Sequence, residues 1–264
     1  MTTQNILYKY RTWSLNFHRD CLLKNQLYFS APSDMNDPFD CRVTVDYSLL
    51  NTDKKIEKYI EQLIEESLPF LDGYQIDFPS KKKELIARIK NDRSTIQNEY
   101  DEKNFLKTNK NYGVLSFSQR WDSILMWTHY SENHKGFCIG FNKEKMTNSN
   151  LFGASGNVKY SDSFPQIDPL ITILERAIWQ THTKAADWSY EQEYRFLNII
   201  DKPEPLSEDR QVQFSNEFIE EIILGLNIPE DHKTEIEKIA KEKKGPLFKI
   251  IKKDRSFLLN KERI

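Results

Sequence analysis

The chain has 264 residues, room for one large or two small domains at about 150 residues each. Its 16 Phe, 12 Tyr and 5 Trp exclude global disorder, and only 8 Gly and 10 Pro exclude fibrous or repetitive classes. Lys and Arg number 38 against 40 Asp and Glu, so the net charge of −2 lacks the basic excess of proteins that coat duplex DNA.

Residues 6–10 (Ile-Leu-Tyr-Lys-Tyr) are β-prone, 16–23 read as a short helix, and 27–29 (Leu-Tyr-Phe) as a second strand. Residues 31–40 form a dense turn segment, with two prolines and several Asp and Asn that close turns on the backbone. Strand-like alternation resumes over 41–47. Residues 53–68 carry Ile56, Tyr59, Ile60, Leu63, Ile64 and Leu68 on one helical stripe with Lys and Glu opposite. A second helical stretch spans about 81–107, with Leu85, Ile86, Ile89 and Ile96 on its apolar side. The charge density of 50–110 marks it as a helical insertion or lid-like subdomain within a single domain over 1–264. The lysine runs 81–83 and 241–244 read as solvated helix faces.

Farther on, 112–118 read as a buried strand, and Asp122 as the cap of a helix over about 123–133. Strands follow at 137–141 and 157–160. Asp168-Pro169 predicts a helix start, with Leu170, Ile173, Leu174, Ala177 and Ile178 turned inward. Strands at 193–200 and 218–226, a helix over 229–243 and a strand at 247–251 complete the pattern. This order predicts an α+β fold with mixed or antiparallel sheets, surrounding helices and the helical insertion. The dinucleotide and P-loop glycine fingerprints are missing. No stretch reaches the length of a membrane span, and Met-Thr-Thr-Gln-Asn has no signal-peptide character. Cys21, Cys41 and Cys138 are too few and scattered for a disulfide framework. The expectation is a reduced, cytoplasmic protein without a membrane partner.

Three constellations carry candidate chemistry. In the segment 30–40, Asp34, Asp37 and Asp40 are oxygen donors of the type that hold a hard cation, but the spacing matches no EF-hand and the favoured reading is a turn loop of capping carboxylates that lines a site. Around 121–141, Trp127, His129, Tyr130 and His134 combine aromatic rings with groups able to do acid–base work. His129, His134 and Cys138 lack the spacing of a zinc site, so no metal is expected. In Trp188-Ser-Tyr-Glu-Gln-Glu-Tyr-Arg195, a strand would turn Glu191, Glu193 and Arg195 to one side and Gln192, Tyr194 and Phe196 to the other. That pattern fits either an exposed Glu–Arg pairing or a cleft in which a carboxylate orients a hydroxyl or faces positive charge. Nucleophilic triads have no support, since no G-x-S-x-G elbow is present.

Taken in this order, the segments resemble a bacterial family known as domain of unknown function 2971. The resemblance rests on Leu7-Tyr-Lys-Tyr-Arg11, Leu27-Tyr-Phe-Ser30 with Asn36-Asp-Pro-Phe-Asp40, Ser116-Phe-Ser118 and Met126-Trp-Thr-His-Tyr130. It continues through His134-Lys-Gly-Phe-Cys-Ile139, Lys159-Tyr160, Trp188-x-Tyr-Glu-x-Glu-Tyr-Arg195 and Ile222-Ile-Leu-Gly225. The chain is more distantly similar to ADP-ribosyltransferase-like domains, which pair an early strand bearing a basic or polar residue with a Ser or Tyr strand and a late catalytic Glu. That similarity implies NAD as the nucleotide bound. It places Glu193, and after it Glu191, as the carboxylate that holds the ribose and faces its developing charge. Tyr8, Lys9, Arg11, Ser30, Asn36, Asp37, Trp127, His129, Tyr130 and Arg195 would then line the NAD site. The acceptor, protein or nucleic acid, is not specified, and a toxin or phage-defence setting has no residue behind it. Two rival expectations are a non-catalytic nucleotide- or nucleic-acid-binding module built on aromatic stacking, and a metal-dependent hydrolase built on the three aspartates.

Overall fold

A computed structural model describes residues 5–67 and 77–264 of the chain, so Leu68 of the predicted stripe lies outside the described residues. Its frame is an eight-stranded sheet in the order β12-β11-β10-β4-β1-β3-β8-β5. The strands are β1 (Ile6–Arg11), β3 (Tyr112–Ser118), β4 (Phe137–Asn142), β5 (Ala154–Asn157), β8 (Glu193–Ile199), β10 (Ile219–Leu224), β11 (Leu247–Lys252) and β12 (Leu259–Arg263). All neighbours in this sheet run antiparallel except β10 and β11. Two small pairs flank it: β2 (Gln26–Tyr28) with β9 (Gln211–Gln213), and β6 (Lys159–Ser161) with β7 (Thr183–Ala185). The α+β expectation holds.

Strand periodicity sorts the side chains into two cores. Leu7, Leu115, Phe117, Phe137, Phe141, Phe196 and Ile222 face one way and pack with α1 (Asn16–Leu23) and α8 (Glu230–Lys243). Tyr8, Tyr10, Cys138 and Ile223 face the other and pack with Met126 and Trp127 of α5 (Ile124–Tyr130). The helices α2 (Asp53–Ser67), α3 (Phe78–Asn91) and α4 (Arg93–Asn111) gather a third cluster around Tyr47, Ile56, Ile60, Ile89 and Ile96, which extends to Ile167.

The centre of the sheet is split. β1 pairs with β4 over six positions, from Ile6↔Asn142 to Arg11↔Phe137, but meets β3 only at Tyr8↔Ser118. β3 stays paired with β8 along its whole length. Past Tyr8 the facing edges of β1 and β3 part, and at the far end Ser30 takes over the β3 edge by exchanging both backbone hydrogen bonds with Val114 at 2.9 Å. The wedge left between β1 and β3 is a cleft.

Several local expectations are corrected. The 41–47 segment keeps a buried, period-2 pattern but has no ladder partner among the described residues. The 81–107 stretch is two helices, broken at Asp92, whose carboxylate caps Thr95 N–H at 3.0 Å. Ser123, not Asp122, caps α5, because Asp122 is engaged by Arg120 at 2.9 Å. Asp168 closes a turn onto Leu170 N–H, and the helix α7 (Ile173–Thr181) starts later, on a capping box between Thr172 and Glu175. That later start leaves Ile173 and Leu174 exposed, with Ala177 buried. The 157–160 strand is two strands, β5 and β6, separated by Val158.

The 123–133 helix ends early because Glu132, Asn133 and His134 have φ of 53°, 56° and 67°. Each left-handed residue costs roughly 1–2 kcal/mol, and the turn is held by His134 N–H to Trp127 O (3.1 Å), Gly136 N–H to Ser131 O (2.8 Å) and Glu132 bonded to Ser14 (2.9 Å). Gly136 completes it, since a Cβ there would lie 2.1 Å from Arg11 O. Gly136→Ala is expected to destabilise the fold by at least about 1–3 kcal/mol, read as a lowered denaturant midpoint.

Candidate functional site

The cleft is lined by consecutive residues of β1 (Tyr8, Lys9, Tyr10, Arg11) and of β3 (Ser116, Phe117, Ser118), so both faces of each strand contribute and the opening passes through the sheet. Its volume is about 250 Å³. Where the ladder is lost, Lys9 reaches across and donates from Nζ to Ser116 O at 2.5 Å.

One wall is a buried charge cluster. Arg195 donates both Nη atoms to the Asp40 carboxylate at 2.7 Å, Nε to Glu193 at 2.6 Å and Nη1 to Thr181 O at 2.6 Å. Lys184 donates to Glu191 and Glu193 at 2.6 Å each and lies 3.7 Å from Asp40. Tyr130 donates its hydroxyl to the second Glu191 oxygen at 2.5 Å and accepts from Asn36 at 3.1 Å. Gln192 makes this convergence. Its left-handed φ of 46° lets Glu191, at the end of a 3-10 turn, and Glu193, the first residue of β8, face the same lysine.

The protonation states follow from charge balance. Three carboxylates meet two cations, so the fully ionised cluster carries one net negative charge in a buried setting. Burial, a carboxyl hydrogen bond with Glu193 and the charge of Glu193 push Glu191 up to about 7, against the pull of Lys184. Burial works the same way on Glu193, yet Arg195, the bond from Glu191 and Lys184 outweigh it and hold Glu193 well below the usual carboxylate range. Burial opposes the Lys184 charge too, and Glu193 and Glu191 more than restore it. Near neutral pH, Glu193 is ionised while Glu191 is poised between states.

The opposite side is cationic and unpaired. Lys9 and Arg11 have no carboxylate within ion-pair distance among the described residues, and Arg11 Nε has no hydrogen-bond partner. A second cavity of about 470 Å³, walled by Phe17, His18 and Tyr28, shares Arg11, Ser30 and Asp34 with the cleft. The two spaces meet at the arginine. His18 is neutral there: burial and the charges of Arg11 and Lys9 bring its pKa down to about 3, and its Nδ1 accepts Thr12 N–H at 3.2 Å.

Of the predicted site residues, Tyr8, Lys9, Arg11, Ser30, Asn36, Tyr130, Glu191, Glu193 and Arg195 come together at the cleft. Three do not line it. Trp127 is fully buried against Tyr10, with its Nε1–H on Trp121 O at 2.6 Å. His129 is exposed on α5 beside Tyr190. Asp37 is buried and accepts Phe39 N–H at 2.9 Å. The exposed Glu–Arg pairing is corrected, since Glu191 and Arg195 are each 1% exposed. The three aspartates of the turn segment also separate, with Asp34 on Ala31 N–H, Asp37 on Phe39 N–H and Asp40 on Arg195. Among the described residues no group of three His, Cys, Asp or Glu could hold a metal ion. The three cysteines are buried and free, and no helix among the described residues is long and apolar enough to cross a membrane. Sequence reasoning missed Lys184, and the only signal for it was that three buried carboxylates require a second cation.

Residues 126–196 match the model of the family described as "Protein of unknown function (DUF2971)", which bears out the resemblance to that family. This segment carries Met126, Tyr130, Lys184, Glu191, Glu193 and Arg195 of the cleft, whereas β1, Ser30, Asn36 and Asp40 lie before it. Neither a curated protein nor a solved structure matches the chain.

Proposed function

We propose that the chain binds NAD and breaks its nicotinamide–ribose bond, in the manner of ADP-ribosyltransferase-like domains. One observation supports this reading above the others: two cavities meet at an arginine without a carboxylate partner among the described residues, and the far wall of one is a carboxylate cluster. NAD has the complementary plan, two nucleosides joined by a diphosphate, with positive charge growing on one ribose as nicotinamide leaves. Arg11 takes the diphosphate. The second cavity takes the distal nucleoside, where neutral His18 offers an Nε2–H. Tyr8, Tyr10 and Phe117 line the cleft at its nicotinamide end with the edges of rings otherwise packed in the two cores.

In the chemical step the carbon–nitrogen bond breaks with its electron pair going to the pyridinium nitrogen, which releases neutral nicotinamide and leaves an oxocarbenium ion. Ionised Glu193 faces that charge from a buried, preorganised position. A hydroxyl nucleophile, from water or an acceptor, then forms the new carbon–oxygen bond and gives its proton to Glu191, whose pKa near neutrality suits a base.

The test is nicotinamide release from NAD by the purified protein. Release by the wild type is expected, with Arg11→Gln raising KM about 10-fold or more through loss of a charged contact. A thermal shift with NAD but no release would turn the reading to a non-catalytic nucleotide-binding module. Neither shift nor release would overturn it.

A further inference from the structure

Lys9 is an unusual lysine for an ion-binding role alone. Its ammonium has no carboxylate within ion-pair distance among the described residues, and its one hydrogen bond goes to a backbone carbonyl, Ser116 O. Its other close neighbour is the Phe117 ring, 5.3 Å from Nζ to the centroid. The charged groups around it are Arg11 on its own strand and Glu193 and Arg195 across the cleft, with the Cys21 thiol of α1 behind as a further titratable neighbour. Burial first, then Arg11, hold its pKa well below the ordinary lysine value, against the smaller pull of Glu193. An amine desolvated in this way and set beside a second cation is the arrangement that activates lysine toward carbonyl carbon. The same residue lines the cleft, two positions from Arg11, whose guanidinium has no carboxylate partner among the described residues.

We propose that Lys9 is a carbonyl-capturing amine, and that the cleft accepts the open-chain aldehyde of a sugar phosphate, with the phosphate on Arg11 and the aldehyde carbon at Lys9 Nζ. The amine nitrogen attacks the carbonyl carbon and the carbinolamine loses one water, whose oxygen comes from the aldehyde and whose hydrogens come from the amine. The product is a reversible imine. The ligand class covers simple aldose phosphates and ADP-ribose. The latter is the compound that NAD cleavage with water as nucleophile would leave in the cleft, so for that ligand the inference rests on the reading above and describes product capture.

The experiment supplies the aldehyde directly, without NAD. Wild-type protein is incubated with ADP-ribose, with ribose 5-phosphate or with unphosphorylated ribose, reduced with cyanoborohydride and mapped by peptide mass spectrometry. The expected result is a saturable adduct at Lys9, at least 10-fold more occupied than at any surface lysine, for one or both phosphorylated sugars and not for ribose. An adduct with ribose 5-phosphate alone identifies a free aldose phosphate as the ligand, and one with ADP-ribose alone identifies the product. Excess pyrophosphate should suppress the adduct, and Lys9→Arg should lack it while keeping the wild-type melting curve. Labelling spread over surface lysines without an excess at Lys9, or equal labelling by ribose, overturns the proposal whether or not the protein releases nicotinamide. Nicotinamide release without a Lys9 adduct would leave the NAD reading standing and this inference refuted.

Discussion

Arg195→Leu should be among the most damaging single substitutions in the chain, lowering stability by about 3–5 kcal/mol. The side chain is 1% exposed and answers both oxygens of Asp40, both of Glu193 and the Thr181 carbonyl. Without it, three buried carboxylates are left with Lys184 as their one cation among the described residues. Set against a typical total of about 5–15 kcal/mol, that loss takes much of the margin. Arg195→Lys should fail nearly as badly, because an ammonium cannot bind Asp40 through two parallel bonds. Denaturant unfolding followed by circular dichroism measures the effect. The double variant Arg195→Leu with Asp40→Asn should recover part of the loss, since it removes one stranded charge. A single variant within about 1 kcal/mol of wild type would mean that water reaches the cluster.

Glu191→Gln should separate activity from stability. The amide keeps the shape and the capacity to bond Tyr130 and Lys184 but cannot take a proton. Nicotinamide release should fall by about 100-fold or more, the usual contribution of a positioned base. The wild-type rate should climb through a limb near pH 7, set by the Glu191 pKa of about 7, and the variant should lack that limb. Stability should move the other way. A carboxyl raised from 4.5 to about 7 contributes stability that is full below pH 4.5 and is lost as pH rises through 7. Glutamine has no such loss, so at pH 8 the variant should be the more stable protein by on the order of 2 kcal/mol, with the gap closing toward pH 4.5. Melting curves taken from pH 4.5 to 8.5 decide it, and parallel profiles for the two proteins would remove Glu191 as the titrating group.

Much of this site was legible because its parts sit at short spacing. Glu191, Glu193 and Arg195 are alternate residues, and the sides they share follow from strand geometry, although a left-handed Gln192 rather than regular strand aligns the first two. Tyr8 to Arg11 read as a strand for the same local reason. What stayed hidden were partners chosen by the tertiary fold. Asp40 pairs with a guanidinium 155 positions away, and no periodicity announces that. Lys184 sits in a three-residue strand too short for a pattern. Trp127 was misplaced because an aromatic next to a cleft residue on a helix points a quarter turn away from it, here into the core beside Tyr10. The start of α7 was misread because Asp168-Pro169 suits a turn as well as a cap, and the Thr172–Glu175 box decided between them.

The split at the centre of the sheet also governs when the site comes into being. β1 is made first but has no strand beside it until β3 and β4 arrive, over 100 residues later. The charge wall waits longer still, for β8 to dock on β3 and bring Glu193 and Arg195 with it. Pairings this remote in sequence form slowly and late. A growing polypeptide on the ribosome therefore holds Lys9 and Arg11 without the charge wall across from them until β8 has been synthesised.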